Sequence, residues 1–231
     1  GDVIFYSKTN EAIKFVSPVS GTLVRIERGA KRVITELIIE ADQLDTYRDN
    51  GVFNVSSMNS DEIKNHLLAT GCWAFIKQRP YDVIANPDVK PKAIFISALT
   101  TAPLSADYDF TLLGKEKELQ AAVTAFSKLT DGKVNVSVGE NSKSVFEGLN
   151  DIAVYKMSGV HPAGNVGTLI NKVDPINKGE VVWTITPQDL VIIGALFLTG
   201  KFNAKRVISL SGSSLKNPKY YTAKIGAEVS T

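Results

Sequence analysis

An α/β fold with a small all-β part in front of it is what the sequence predicts, and three observations predict it. Short runs rich in valine and isoleucine, broken by glycine or proline, fill residues 1–44. Beyond residue 90 a strand, a helix and a second strand follow at the spacing of a βαβ unit. A capped apolar helix and one more strand then bring the pattern past residue 200.

In order, "VIFYSK", "IKFVSP", "GTLVRIERG" and "RVITELIIEA" read as strands of a partial β domain over 1–44. "DTYRDNGVFNVSSM", 45–58, is polar and turn-rich and is expected to be a linker. "NSDEIKNHLLATG" reads as a helix with Ser60 as N-cap, Asp61 and Glu62 at its positive end and Gly71 as its stop. Ile63, Leu67 and Leu68 share one face, and His66, among polar neighbours, is expected to face solvent.

"KAIFISAL", 92–99, is a continuous apolar run suited to a strand covered on both faces. "KEKELQAAVTAFSKLT", 115–130, carries helical spacing at Leu119, Val123, Phe126 and Leu129, and "GKVNVSV" alternates like a strand. "NDIAVYK" and "EVVWTI" add strands. "TPQDLVIIGALFLTG" is a helix with Thr186 as cap, Pro187 at the first position and Gly200 at the end, and "KRVISLSG" is a strand after it. The expected organisation is a partial β domain (1–44), a linker (45–58), a Rossmann-like α/β domain (59–200) and the opening of a further domain (201–231). The absence of an initiator methionine and the strand pattern at both ends suggest a fragment of a longer protein.

Composition excludes several function classes. Of 231 residues 44% are hydrophobic and 22% charged, an ordinary globular balance. A net charge of +2 gives no electrostatic case for nucleic acid. Cys72 alone cannot form an internal disulfide, and one cysteine with His66 and His161 does not make a zinc or iron–sulfur ligand set. "LVIIGALFL" is too short to span a bilayer, which takes about twenty residues.

The candidate chemistry is sparse. In "GVHPAGNVGTLI", 159–170, Gly159 and Gly164 have the spacing of a phosphate loop, but Asn165 and Val166 stand where lysine and serine or threonine are needed, so a tight turn is the better reading. After "FISAL" only Gly114 appears where a dinucleotide site wants three glycines, which describes a nucleotide-type fold without its usual ligand apparatus. Trp73, Phe75 and Tyr81 suit either an apolar pocket or the core, and the core is preferred. His161 suits a hydrogen-bond donor to a quinone carbonyl or a structural loop contact. Arg28, Lys31 and Arg32 form a basic cluster that fits an acidic partner or a solvated turn. Asp107 and Asp109 are paired acids without the context of an acid–base dyad.

Taken together, "FVSPVSGTLVRIERGAKRVI", "DEIKNHLLATGCWAFIKQRPYD", "PKAIFISALTTAPLSADYDF", "HPAGNVGTLI", "TPQDLVIIGALFLTG" and "RVISLSGSSLKNPKYYTAKIGA" resemble, in order, the A subunits of the bacterial sodium-translocating NADH:quinone oxidoreductases. The resemblance implies a barrel-sandwich domain of biotinyl/lipoyl type, then a Rossmann-like domain similar to the flavin subunit of complex I, then the start of a β-grasp domain. Where that flavin subunit has a glycine-rich loop, this chain has "GCWAFIKQRPYD". The implied subunit therefore carries no flavin of its own and no metal, and the "HPAGNVGTLI" loop is an inherited turn.

The resemblance further implies a peripheral subunit on the cytoplasmic side of the inner membrane. Its partners are the other members of a six-subunit complex that oxidises NADH, reduces ubiquinone and exports sodium, with flavins and iron–sulfur centres elsewhere. Ubiquinone is the ligand it implies, and Trp73, Phe75 and His161 are the residues offered for it, because a quinone wants an apolar slot with one or two donors. An alternative is a carrier-like or flavin-free adaptor subunit of a related electron-transfer complex.

Overall fold

The computed structural model describes residues 1–229. Four strands open it: β1 (Val3–Tyr6), β2 (Lys14–Val16), β3 (Gly21–Arg28) and β4 (Ile34–Ala41). They form two separate antiparallel ribbons, β1–β2 and β3–β4. Phe5 and Phe15 stack across the first, ring centroids 4.4 Å apart. Such ribbons are marginal alone, and this one leans on the next domain. Ile13 is buried in the main core, Phe15 and Val16 pack against it, and the Val16 side chain lies against Gly71.

The expected linker is held along the α/β domain. The Asn50 and Phe53 amides donate to the carbonyls of Gly200 and Phe197. The Lys128 ammonium gathers the carbonyls of Val55, Ser56 and Met58, each at 2.8 Å, around a short 3-10 turn.

Helix α1 (Ser60–Ala69) follows. Its cap is Asn59, one residue before the expected Ser60: Asn59 accepts from the Glu62 amide while Glu62 reaches back to the Asn59 amide, a full capping box. Gly71 ends the segment with a left-handed φ of 74°. After β5 (Lys77–Arg79) and β6 (Val83–Ile84) come β7 (Ile94–Ser97), a one-turn helix α2 (Tyr108–Thr111), α3 (Glu116–Ser127), β8 (Val134–Gly139) and β9 (Ala153–Met157). Then α4 (Val166–Val173), β10 (Val182–Thr184), α5 (Pro187–Thr199) and the hairpin β11 (Lys205–Leu210) with β12 (Lys219–Lys224) complete the chain. Ser230 and Thr231, part of the expected β-grasp opening, lie outside the described residues.

The central sheet has six strands in the order β6-β5-β10-β7-β8-β9. β10, β7, β8 and β9 run parallel, and β5 and β6 are antiparallel additions at one edge. The expected βαβ unit is β7–α3–β8. β8 was expected to alternate, yet Val134 to Val138 are all buried, because helices cover both faces of the sheet.

The larger core packs α1, α3 and α5 on one face, with Ile63, Phe126, Leu190 and Phe197 at its centre. A smaller cluster of Phe95, Leu169, Ile170 and Val182 packs α4 on the other face. Helix α4 begins within the stretch 159–170 read from sequence as a turn and runs past its end.

Candidate functional site

The chain leaves β7 for α3 on one face and returns from β9 to β10 through α4 on the other. β7 and β10 are nonetheless neighbours in the sheet, with Thr184 paired to Phe95. Both C-terminal ends lead to helices of the larger core, β7 to α3 and β10 to α5, while α4 begins beside them on the other face. A crevice opens at the carboxyl ends of the strands, where ligands bind in open α/β sheets. A cleft of about 690 Å³ occupies it. Its walls come from five separated segments: β5 and the turn before it, the loop after β7, the start of α4, the end of β10 with the start of α5, and Arg206 of β11.

At one end Asp189 in the first turn of α5 is 4% exposed. It pairs with the Arg206 guanidinium and accepts from the Thr186 hydroxyl at 2.5 Å. Burial pushes the Asp189 carboxyl above the usual carboxylate range, while Arg206 and the Thr186 contacts pull it back. The Arg206 guanidinium also lies over the Phe75 ring, 5.6 Å from its centre, and Phe75 stacks on Phe202. At the other end, Lys77 and Arg79 of β5 line the cleft opposite the start of α4.

The glycine-bearing loop after β9 is shaped by backbone approach. A Cβ on Gly164 would stand 2.5 Å from the Leu99 carbonyl oxygen and 2.9 Å from the Thr101 amide. The Gly164 amide donates to the Thr101 hydroxyl at 2.9 Å, and the Ser97 hydroxyl donates to the Gly164 carbonyl at 2.7 Å. Gly164 is glycine because two loops touch there.

The residues singled out from sequence are dispersed. Trp73 is fully buried, with its indole N–H given to the Ala85 carbonyl at 2.8 Å, so it stands behind the cleft wall. Phe75 lines the cleft. His161 is exposed; its Nδ1 is 3.3 Å from the Thr101 hydroxyl, which does line the cleft. Tyr81 is 84% exposed, neither core nor pocket. Arg28, Lys31 and Arg32 sit together at the exposed tip of the β3–β4 ribbon, where Arg28 donates to the Arg32 carbonyl.

Asp107 caps α2 and Asp109 accepts from Ser142 and Lys143, so both acids are structural. His66 is half-buried between the rings of Phe53 and Phe197 rather than turned to solvent. The Cys72 thiol is buried and pushed up to about 12 by that burial, which makes it a poor nucleophile. Among the described residues no three His, Cys, Asp or Glu side chains are grouped to hold a metal ion.

Lys77, Arg79, Asp189 and Arg206 were not singled out in the sequence. "KQR" before Pro80, with two cations at alternate strand positions, was the available signal for the first two.

Residues 58–202, which build this cleft apart from Arg206, match the NqrA second alpha/beta domain, and residues 1–42 match the NqrA N-terminal barrel-sandwich hybrid domain. The chain belongs to the NqrA family. The A subunit of the Na(+)-translocating NADH-quinone reductase of Histophilus somni is 34% identical over 232 residues, covering 100% of this chain and 52% of that protein. The corresponding proteins of Alcanivorax borkumensis and Marinomonas sp. are 35% and 33% identical, each across 99% of this chain and 52% of their own length. The chain thus spans about half the length of the curated NqrA relatives it matches. The barrel-sandwich and α/β assignment expected from sequence agrees with both matches. Among the described residues no helix is long and apolar enough to cross a membrane.

Proposed function

We propose that this chain serves as a peripheral, flavin-free subunit of a sodium-translocating NADH:quinone reductase. In this reading it works at the cytoplasmic side of the bacterial inner membrane with the other subunits of a six-subunit complex. NADH oxidation, flavins and iron–sulfur centres belong to those partners, and the chain is not catalytic by itself. The observation that carries the reading is the NqrA match across both domains, which includes the segments around the cleft apart from Arg206. The domain limits of the sequence reading, with 45–58 joining the two parts and 201–231 opening a β-grasp domain, belong to the same proposal.

The quinone role is placed at the Phe75 end of the cleft. Phe75, Ile185 and Pro187 supply apolar wall, Trp73 supports it from behind, and the Thr101–His161 pair supplies a polar contact at the rim. Arg28, Lys31 and Arg32 are the docking point for an acidic neighbouring subunit. At the tip of a narrow ribbon they can reach a partner without disturbing either core.

Photolabelling the intact complex with a quinone analogue, followed by mapping of adducts, tests this directly. Adducts on peptides containing Phe75 or His161 are expected. Labels confined to other subunits would remove the quinone role from this chain and leave it as scaffold.

A further inference from the structure

Lys77 and Arg79 occupy alternate positions of β5, so both side chains leave the same face of the sheet. Their cross-strand partners are Thr184 and Val182, and Val182 packs with Leu169 and Ile170. The two cations therefore share the face that carries α4. The protein neutralises each only in part. The Lys77 ammonium makes no hydrogen bond or ion pair with a described residue and acts only as a Coulombic neighbour of Asp189, which is already paired with Arg206. Arg79 reaches only Asp82, at 3.7 Å, and its buried Nε has no partner. The cleft's other cation, Arg206, is taken by Asp189.

Opposite them α4 begins. Asn165 makes no side-chain cap bond, and the first turn holds no acid. The amides of Val166 and Gly167 have no acceptor among the described residues. A guanidinium nitrogen of Arg79 lies 4.0 Å from where a Gly167 Cβ would stand. A cation beside the positive end of a helix is repelled, and an anion between the two relieves that repulsion.

We propose that this cleft binds a small organic phosphate monoester. Its phosphoryl oxygens accept from Lys77, Arg79 and the Val166 and Gly167 amides, and its organic part lies along Phe75 and Ile185. A phosphate is favoured over a carboxylate because its charge of about −2 and three free oxygens match two cations and two amides more fully than a single charge on two oxygens. A bare phosphate would leave most of the 690 Å³ unfilled, and the rest of the lining includes apolar wall. The site forms without the lysine of a phosphate loop, because Lys77 and Arg79 arrive from a different strand. The phosphate-holding donors are separate from the quinone role, since a neutral quinone does not satisfy them, but the organic part shares the Phe75 and Ile185 wall, so the two ligands would compete for that end of the cleft.

The test uses the full chain and phenyl phosphate, titrated by calorimetry, with inorganic phosphate and phenol as its two halves. Phenyl phosphate is expected to bind with a millimolar or lower dissociation constant, more weakly as salt rises, and phenol not at all. Lys77→Gln and Arg79→Gln should each weaken binding by at least about tenfold. Lys90→Gln, whose ammonium pairs with Asp131 outside the cleft, should leave it unchanged. A second readout needs no variant: phenyl phosphate should slow amine-reactive labelling of Lys77, but not of Lys90, as read by mass spectrometry. Absence of binding, equal binding of phenol, or binding that neither protects Lys77 nor responds to the two substitutions would overturn the proposal.

Discussion

The indole of Trp73 meets that of Trp183 edge-on, ring centroids 5.2 Å apart and planes at 83°. The pair joins the turn before β5 to β10 under the cleft. Both rings are buried, but their N–H groups differ in fate. Trp73 donates to Ala85, whereas Trp183 Nε1 is buried without a partner. Burying a donor unpaired costs free energy, and removing it does not.

Trp73→Phe and Trp183→Phe remove the same atoms from the same cluster, so their difference isolates one hydrogen bond. Trp73→Phe also strands the Ala85 carbonyl. Chemical denaturation should show Trp73→Phe less stable than Trp183→Phe by about 1–3 kcal/mol. Equal losses would mean that the Ala85 bond contributes nothing net.

Gly194 lies in the middle of α5, where alanine would ordinarily favour the helix by about 1 kcal/mol. Here a Cβ would stand 1.7 Å from the Glu118 carbonyl oxygen of α3. The two helices touch through that glycine, and α3 cannot yield without disturbing Leu119 and Ala122, both buried. Gly194→Ala should therefore destabilise by about 2 kcal/mol or more despite its better propensity. A thermal melt of the variant decides the sign.

Elements marked by local chemistry were legible in the sequence. Thr186, Pro187 and Gly200 delimit α5 because capping depends on a few adjacent residues. Helix α4 was hidden by the glycines and proline before it. Yet Val166, Leu169, Ile170 and Val173 repeat at helical spacing, a signal the turn reading passed over. His66 was misplaced because the rings that enclose it come from residues 53 and 197, and no local pattern contains them. The cleft was illegible for the same reason: Lys77, Gly164, Asp189 and Arg206 meet only when β10 inserts between β5 and β7.

The Asp189–Arg206 pair holds the β11–β12 hairpin against the start of α5. Removing one partner of a buried pair leaves the other uncompensated, so Arg206→Met should cost about 3 kcal/mol near neutral pH. Without the guanidinium the Asp189 carboxyl rises further. A folded value above the unfolded one gives stability that is fully present below the unfolded pKa and lost as pH rises through the folded value. The Arg206→Met deficit should thus shrink in acid. Adding Asp189→Leu to Arg206→Met should restore part of the loss at neutral pH, and urea denaturation of all four proteins in the cycle measures the coupling.

His66 supplies a pH dependence of the opposite kind. Burial between Phe53 and Phe197 lowers its pKa below the ordinary histidine value, and its buried Nε2 has no acceptor to welcome a proton. As pH falls from about 7.5 toward 5.5, the unfolded chain takes up this proton before the folded one does. Stability contributed by the neutral ring is present above the unfolded pKa and is lost as pH drops through the folded value. His66→Phe keeps the aromatic contact and removes the proton, so its stability should be flatter across that window than that of the native chain. Parallel slopes for the two proteins would show that His66 titrates as freely in the folded state as in the unfolded one, and that its ring is not held between Phe53 and Phe197 in solution.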